Sequence, residues 1–484
     1  MMTALALLVT LGMLGWGFYR AKSYGSLGLL SWGQSVSLLA PWLTFFGLFA
    51  AGIYVSLVGM LALLVLSTVA YVLLGRRIRE VAPQEMAKQA QARADRAAET
   101  TTTAPPPEQN IGEPVPIPPD DLEIIKSVFG LDSFFATETI PYQDGAVFNG
   151  NLRGELQPTY EKLSAAMQAK VGDRYRLFLV ENQEGRPTVV VLPKSSDPAQ
   201  STVVQKVLAV VLFVVTIGTC LEAAGFLQGF DFYAEPQRYA EVVPVAASVV
   251  ASLVVHEVGH RVAAQNYGVK LSWPFFLPTW QIGAFGGLTR FESLLPNRTA
   301  LFDIAFAGPA AGGLLSLGLL LVGLLNSHPG SVLKVPTPYF EGSIFVGTIA
   351  RAVLGDRLQE SLVDVDPLVI AGWIGLIITA INLMPAGRLD GGRMVQAIYG
   401  RKIAGGATVA TLILLGIVSL VNQLALYWAV LVLFLQRGPE RPALEDISEP
   451  DDARAAFALL ALFFMVVILL PLTPSLAGKL GIGM

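Results

Sequence analysis

Uninterrupted apolar runs of membrane length fill both ends of the chain, and a polar stretch at 80–200 divides them. Between Lys22 and Arg76 there is a gap of 53 residues without a charge. A membrane helix needs about 20 residues, so the gap predicts two, near 27–49 and 52–74. The segment 4–19 begins without Lys or Arg and leads into more apolar sequence, so it reads as a retained anchor rather than a cleaved leader. Further apolar runs predict helices at 203–226, 242–266, 301–325, 367–384, 403–421, 424–435 and 455–472. If these alternate across the bilayer, Arg20, Lys22, Arg76, Arg77, Arg79, Arg261, Lys270, Arg388, Arg393, Arg401, Arg437 and Arg441 share one side. Asp356, Glu360, Asp364 and Asp366 fall on the other. The positive-inside rule then makes the basic side cytoplasmic. The chain shows no internal repeat, which argues against a transporter.

The polar stretch has its own order. Residues 80–100, rich in Ala, Gln, Arg and Glu, predict a polar helix. Residues 101–119 carry a Thr run and many prolines and predict a linker. Residues 120–194 predict a small α+β domain, with helices at 120–130 and 158–170 and a hairpin from 174–180 and 187–192. The fold class is thus a polytopic α-helical membrane protein of about eight or nine transmembrane helices, with a small soluble α+β domain inserted after the first of them. The expected boundaries are 1–79 for the first membrane helices, 80–119 for the polar helix and linker, and 120–200 for the soluble domain. A membrane core follows at 201–440, and a linker with a last helix at 441–484.

Composition supports this reading. The chain is 53% hydrophobic and 14% charged, against about 25% charged in a soluble protein, and its mean hydropathy is +0.57. A net charge of −4 gives no basis for a nucleic-acid partner. The lone Cys220 excludes an intrachain disulfide and a cysteine zinc site, and it reads as a small packed hydrophobe.

Against this apolar background, residues 256–260 read His-Glu-Val-Gly-His. On a helix, His256 and His260 project from one face, at the spacing of two ligands of one tetrahedral zinc. Glu257 stands beside them, able to take a proton from water. The segment 242–255 before them carries no charge, and ionisable groups at such a place mark function by default. A catalytic zinc needs a third protein ligand. His328 is a candidate, but its Asn-Ser-His-Pro-Gly setting reads as an exposed turn on the opposite side. Asp390 is the better one. It lies in Asn-Leu-Met-Pro-Ala-Gly-Arg-Leu-Asp-Gly-Gly, 382–392, which is expected to form a glycine-rich turn after a helix ending at the depth of the histidines.

HEVGH on a membrane helix, followed by NLMPAGRLDGG, resembles the site-2 protease family of intramembrane zinc metalloproteases, whose pattern is HExxH plus Asn-x-x-Pro-x-x-x-Leu-Asp-Gly. The likeness covers roughly 240–400. It implies one zinc ion held by His256, His260 and Asp390, with Glu257 as general base and Asn382 near the metal, in contact with substrate. Ala307-Gly-Pro309 and the Gly-rich 283–287 are similar to family features. The amino-terminal extension, with Gly150-Asn-Leu-Arg-Gly154, resembles the cyanobacterial and chloroplast branch. The resemblance implies an endopeptidase whose partners are membrane proteins with a transmembrane helix. It places the chain in the plasma or thylakoid membrane of a bacterium such as a cyanobacterium, and the basic flanks put site and soluble domain toward the cytoplasm. It leaves homo-oligomerisation open. A catalytically silent scaffold or chaperone of the same fold is the alternative, and retention of all four polar residues argues against it.

A helical substrate shields its carbonyls by hydrogen bonding and must unwind before attack. Residues 271–291 combine aromatics, prolines and small residues, which no simple membrane helix does. They read either as an interfacial loop or as a re-entrant hairpin that pairs with the unwound substrate through Gly286 and Gly287. The soluble domain could select substrates, shield the site or anchor partners.

Overall fold

The computed structural model describes residues 14–22, 25–50, scattered positions between 59 and 81, and 117–482 except 143, 183, 421, 436 and 437. The start of the segment expected at 4–19, most of the helix expected at 52–74, and nearly all of the polar helix and linker expected at 80–119 lie outside these residues. Met1–Gly112 and Glu113–Met484 form separate compact units. In the first, α1 (Gly25–Ala50) is a helix of 26 residues without a charge. The Trp32 indole donates to the Leu14 carbonyl and the Gln34 amide to that of Tyr71, at 3.0 and 3.3 Å.

The second unit opens with α2 (Pro119–Lys126), whose first turn carries Asp120 and Asp121, favourable at the positive end of a helix dipole. Four antiparallel strands follow: β1 (Phe134–Tyr142), β2 (Gly145–Leu152), β3 (Tyr175–Glu181) and β4 (Pro187–Pro193), in the order β1-β2-β4-β3. α3 (Leu156–Val171) lies between β2 and β3 in the chain. Ile125, Phe134, Phe148, Leu163, Met167, Leu179, Val189 and Val191 form the shared core. The hairpin expected at 174–192 is β3–β4. The β1–β2 hairpin was not expected from the sequence. Only two residues separate β1 from β2 in the chain, and the outer strand β1 exposes six of nine positions, which blurs the alternation that marks a strand.

Among the described residues of this unit, five helices are long and apolar enough to span a membrane: α4 (Val203–Leu227), α5 (Tyr239–Asn266), α6 (Arg298–Asn326), α9 (Asp390–Val418) and α11 (Asp452–Leu469). α8 (Pro367–Asn382) and α10 (Gln423–Leu435) are apolar but shorter. Between α6 and α8 the chain makes a strand pair, β7 (Leu333–Pro336) with β8 (Leu362–Val365), and a helix, α7 (Ile344–Leu354). A last helix, α12 (Pro474–Leu480), ends the described chain. The helix expected at 403–421 is the second half of α9, and Gly400, at φ 80°, interrupts the helical backbone before it; the first half, from Asp390, was expected as a turn.

Two features position the site. The residues 275–288 form a hairpin, β5 (Phe275–Thr279) with β6 (Gly283–Leu288), lodged against α4 and α8. A strap, 440–448, ties the sheet to the membrane core. Leu444 and Glu445 donate to the carbonyls of Leu295 and Pro296, and the same strap exchanges backbone bonds with Leu179 of β3.

Candidate active site

His256 and His260 stand one turn apart on α5 and are both buried. Asp390 reaches them from the other side. It was expected on a turn, but it is the first residue of α9, where the helix start fixes its backbone. The Nε2 atoms of the two histidines are 3.1 Å apart. The Asp390 carboxylate lies 3.1 Å from His256 Nε2 through Oδ2 and 3.4 Å from His260 Nε2 through Oδ1. Among the described residues this is the cluster whose donor atoms converge as metal ligands do.

The arrangement fits zinc. Donor atoms about 2.1 Å from one tetrahedral ion stand about 3.4 Å from each other, close to the spacings observed here. His260 Nδ1 donates to the Ile304 carbonyl at 2.6 Å. A carbonyl only accepts, so the proton sits on Nδ1 and Nε2 keeps its lone pair for the cluster. His328 takes no part: it is exposed, in a turn beside the Pro329 carbonyl.

Glu257 is buried next to the histidines. The Thr289 hydroxyl donates to its Oε2 at 2.7 Å. Its Oε1 is buried with no hydrogen-bond partner. An orphaned carboxylate oxygen beside three converging ligands is an acceptor held ready for a proton. Gly287 keeps that oxygen clear, since a Cβ there would sit 2.4 Å from it.

Thr289 is itself held. Arg393, one turn beyond Asp390, donates from Nη2 to the Thr289 carbonyl at 2.7 Å and pairs with Glu440 of the strap at 3.1 Å. Arg393 is therefore buried in the site. Asn382, at the end of α8, donates to the Phe285 carbonyl at 3.2 Å and so lies along β6. Gly286 faces it at φ 115°, and a Cβ there would come within 2.5 Å of the Asn382 amide. The structure thus brings Asn382, Gly286 and Gly287 to the ligand cluster. Sequence reasoning did not reach Thr289, Ile304, Arg393 and Glu440 as site residues. Only Arg393 had a signal, its three-residue spacing from Asp390 on one helix face.

Comparison with known proteins decides the family. A family model described as Peptidase family M50 matches residues 244–422, which include both motifs, and one described as EGY3 middle domain matches 123–199. A protein of Oryza sativa subsp. indica named probable zinc metalloprotease EGY2, chloroplastic, is 41% identical over 374 residues, covering 75% of this chain and 68% of the relative. The chain belongs to the site-2 protease family, peptidase family M50. Two Arabidopsis thaliana members of the same branch agree. The one named probable zinc metalloprotease EGY2, chloroplastic, is 39% identical over 374 residues, 75% of this chain and 67% of its own. The one named EGY1 is 37% identical over 409 residues, 77% of this chain and 75% of its own. No solved structure matches. As a family member with membrane-length helices, the chain is a membrane-embedded metalloprotease, and the metal of the family's named relatives is zinc.

Proposed function

We propose that this site-2 protease cleaves transmembrane segments of membrane-protein substrates, with His256, His260 and Asp390 holding one zinc and Glu257 as general base. The observation that carries the reading is the unpartnered Glu257 Oε1 beside three converging ligand atoms. Bound there, zinc supplies Lewis acidity to water and to the scissile carbonyl. Glu257 Oε1 takes the proton of the attacking water, and Thr289 holds Oε2 so that the carboxylate cannot swing away. The same carboxylate returns the proton to the leaving amine. A scaffold would have no use for an acceptor kept orphaned in a buried place, where it costs stability.

The substrate enters as an unwound strand along β6. β6 pairs with β5 on one side only, and Asn382 marks its other edge through the Phe285 carbonyl. Gly286 and Gly287 let a substrate backbone approach without side-chain obstruction. Nine spans follow if α1, α8, α10 and the segment 52–74 are added to the five long helices. The basic flanks orient the site and the soluble domain toward the cytoplasmic side of the membrane or its equivalent in a plastid.

The test uses the full chain in detergent. It should carry one zinc and cut a transmembrane peptide. Chelation should abolish cleavage, and added zinc should restore it. A chain that binds zinc but cuts no membrane peptide overturns the substrate assignment. Proline placed within 282–288 should slow cleavage at least about tenfold, by displacing the bound strand, with zinc retained. Unchanged cleavage would remove the pairing step.

A further inference from the structure

A groove of about 560 Å³ opens beside the hairpin and runs toward the ligand cluster. Phe275, Leu277 and Leu288 form its apolar wall, and Arg290, Arg388 and Arg441 form its rim. Arg388 also lines the small cavity that holds His260, Gly287 and Asp390, and Leu288, Thr289 and Arg393 are common to both, so the groove and the site share a wall. All three rim arginines are exposed. Among the described residues none of them has a carboxylate partner. Arg290 stands over the Phe275 ring at 5.7 Å and reaches the Gln205 amide oxygen at 3.4 Å. Arg441 donates to the Ser196 carbonyl at 2.9 Å.

The carboxylates in the groove are already engaged. Glu292 accepts from the backbone and hydroxyl of Ser201. Glu440 is bound to Arg393, a fourth guanidinium of the groove. Four guanidiniums against two carboxylates still leave the mouth an excess of positive charge, beside an apolar wall. That order, apolar and then cationic, is complementary to a chain that leaves the membrane and continues into acidic residues.

We propose that this mouth binds an acidic juxtamembrane flank of the substrate, and so helps choose which membrane segments are cut. The inference rests on the protease reading above and narrows its substrate class. Ordinary membrane segments carry Lys and Arg at their cytoplasmic ends. On the orientation proposed here, the rim repels those and admits segments with acidic flanks, so it selects by repulsion as well as attraction. Each exposed pair contributes little on its own, but three acting together give a usable preference.

The experiment measures binding apart from cleavage. Full-length Glu257→Gln protein in neutral detergent is titrated with fluorescent transmembrane peptides of one apolar sequence, flanked by four Glu, four Gln or four Lys. The Glu-flanked peptide should bind about five- to tenfold more tightly than the Gln-flanked one at low salt, and the Lys-flanked one more weakly. The preference should shrink in 0.5 M salt, because exposed pairs are screened. Arg290→Gln, Arg388→Gln and Arg441→Gln together should bring the three affinities within about twofold. Equal affinities in the unaltered rim, or a preference that survives the triple substitution, overturn the inference. So does a triple variant that loses only affinity for phosphatidylglycerol vesicles, which would make the rim a lipid-headgroup site. If wild-type protein binds the peptides selectively but cuts none, the protease reading fails while the rim assignment stands.

Discussion

Glu257→Gln should lower cleavage of a transmembrane peptide by about 10²- to 10⁴-fold, the usual contribution of a general base, while bound zinc stays at one per chain. The geometry separates these two outcomes. Glu257 belongs to neither imidazole nor to the Asp390 carboxylate, so the ligand set survives the change. Glutamine keeps the shape and still accepts the Thr289 hydroxyl, but it cannot take a proton from water. Because Oε1 has no partner to lose, the substitution leaves no broken hydrogen bond there. Melting temperature should change little. Zinc analysis, a peptide-cleavage assay and a thermal melt on the same preparation check the three expectations. A variant that retains full cleavage would remove Glu257 from the chemistry, and one that loses zinc would make it a ligand.

The chemistry was legible in the sequence because it depends on fixed local spacings. The four-position separation of His256 and His260 defines one helix face, and the helix there is a long apolar run with no competing pattern. Asp390 was legible as a partner through its distance from a helix end, but not as a helix start. Gly387, Gly391 and Gly392 read as a turn, and the sequence alone does not tell that Leu389 ends that turn one residue before Asp390. The short elements between α6 and α8 were less legible. β7 and β8 have four residues each, too few for a periodicity to stand out. The residues that hold the site in shape were hidden for a different reason. Thr289 meets Glu257 across 32 positions and Arg393 meets Glu440 across 47, and such pairs have no signature along the chain.

Those distant contacts also join the soluble sheet to the chemistry. β3 is bonded to the strap at Leu444 and Asp446. The strap presents Glu440 to Arg393, Arg393 holds Thr289, and Thr289 holds Glu257. A shift of the sheet therefore has a covalent and hydrogen-bonded route to the base, whereas His260 is fixed from elsewhere, through the Ile304 carbonyl of α6.

That separate support makes α6 a place where zinc can be lost without substituting a ligand. Gly308→Ala should weaken zinc binding by about 10- to 100-fold, the range seen when groups supporting a metal ligand are altered, and cleavage should fall with it. Gly308 lies within α6 at an ordinary helical conformation, so alanine there costs nothing in backbone terms and raises helix propensity. The obstacle is contact. A Cβ would lie 2.2 Å from His260 Nε2 and 2.5 Å from its Cε1. The ring cannot swing aside freely, because its Nδ1 is tied to the Ile304 carbonyl one turn earlier on the same helix. Either that bond breaks or Nε2 leaves its position facing His256 and Asp390. Both outcomes spoil the ligand set, and overpacking of a tight interior by one methyl is costly in its own right, at about 1–3 kcal/mol. Zinc affinity measured against a competing chelator should register the loss, with the helical content seen by circular dichroism unchanged. Gly313→Ala serves as the comparison on the same helix. Its Cβ would meet only the Thr379 methyl at 3.3 Å, so its zinc affinity should stay within about threefold of wild type, well short of the loss expected from altering a group that supports a ligand. Equal zinc affinity in Gly308→Ala and wild type would mean that His260 has room to move, and that its place beside Asp390 is not fixed by α6.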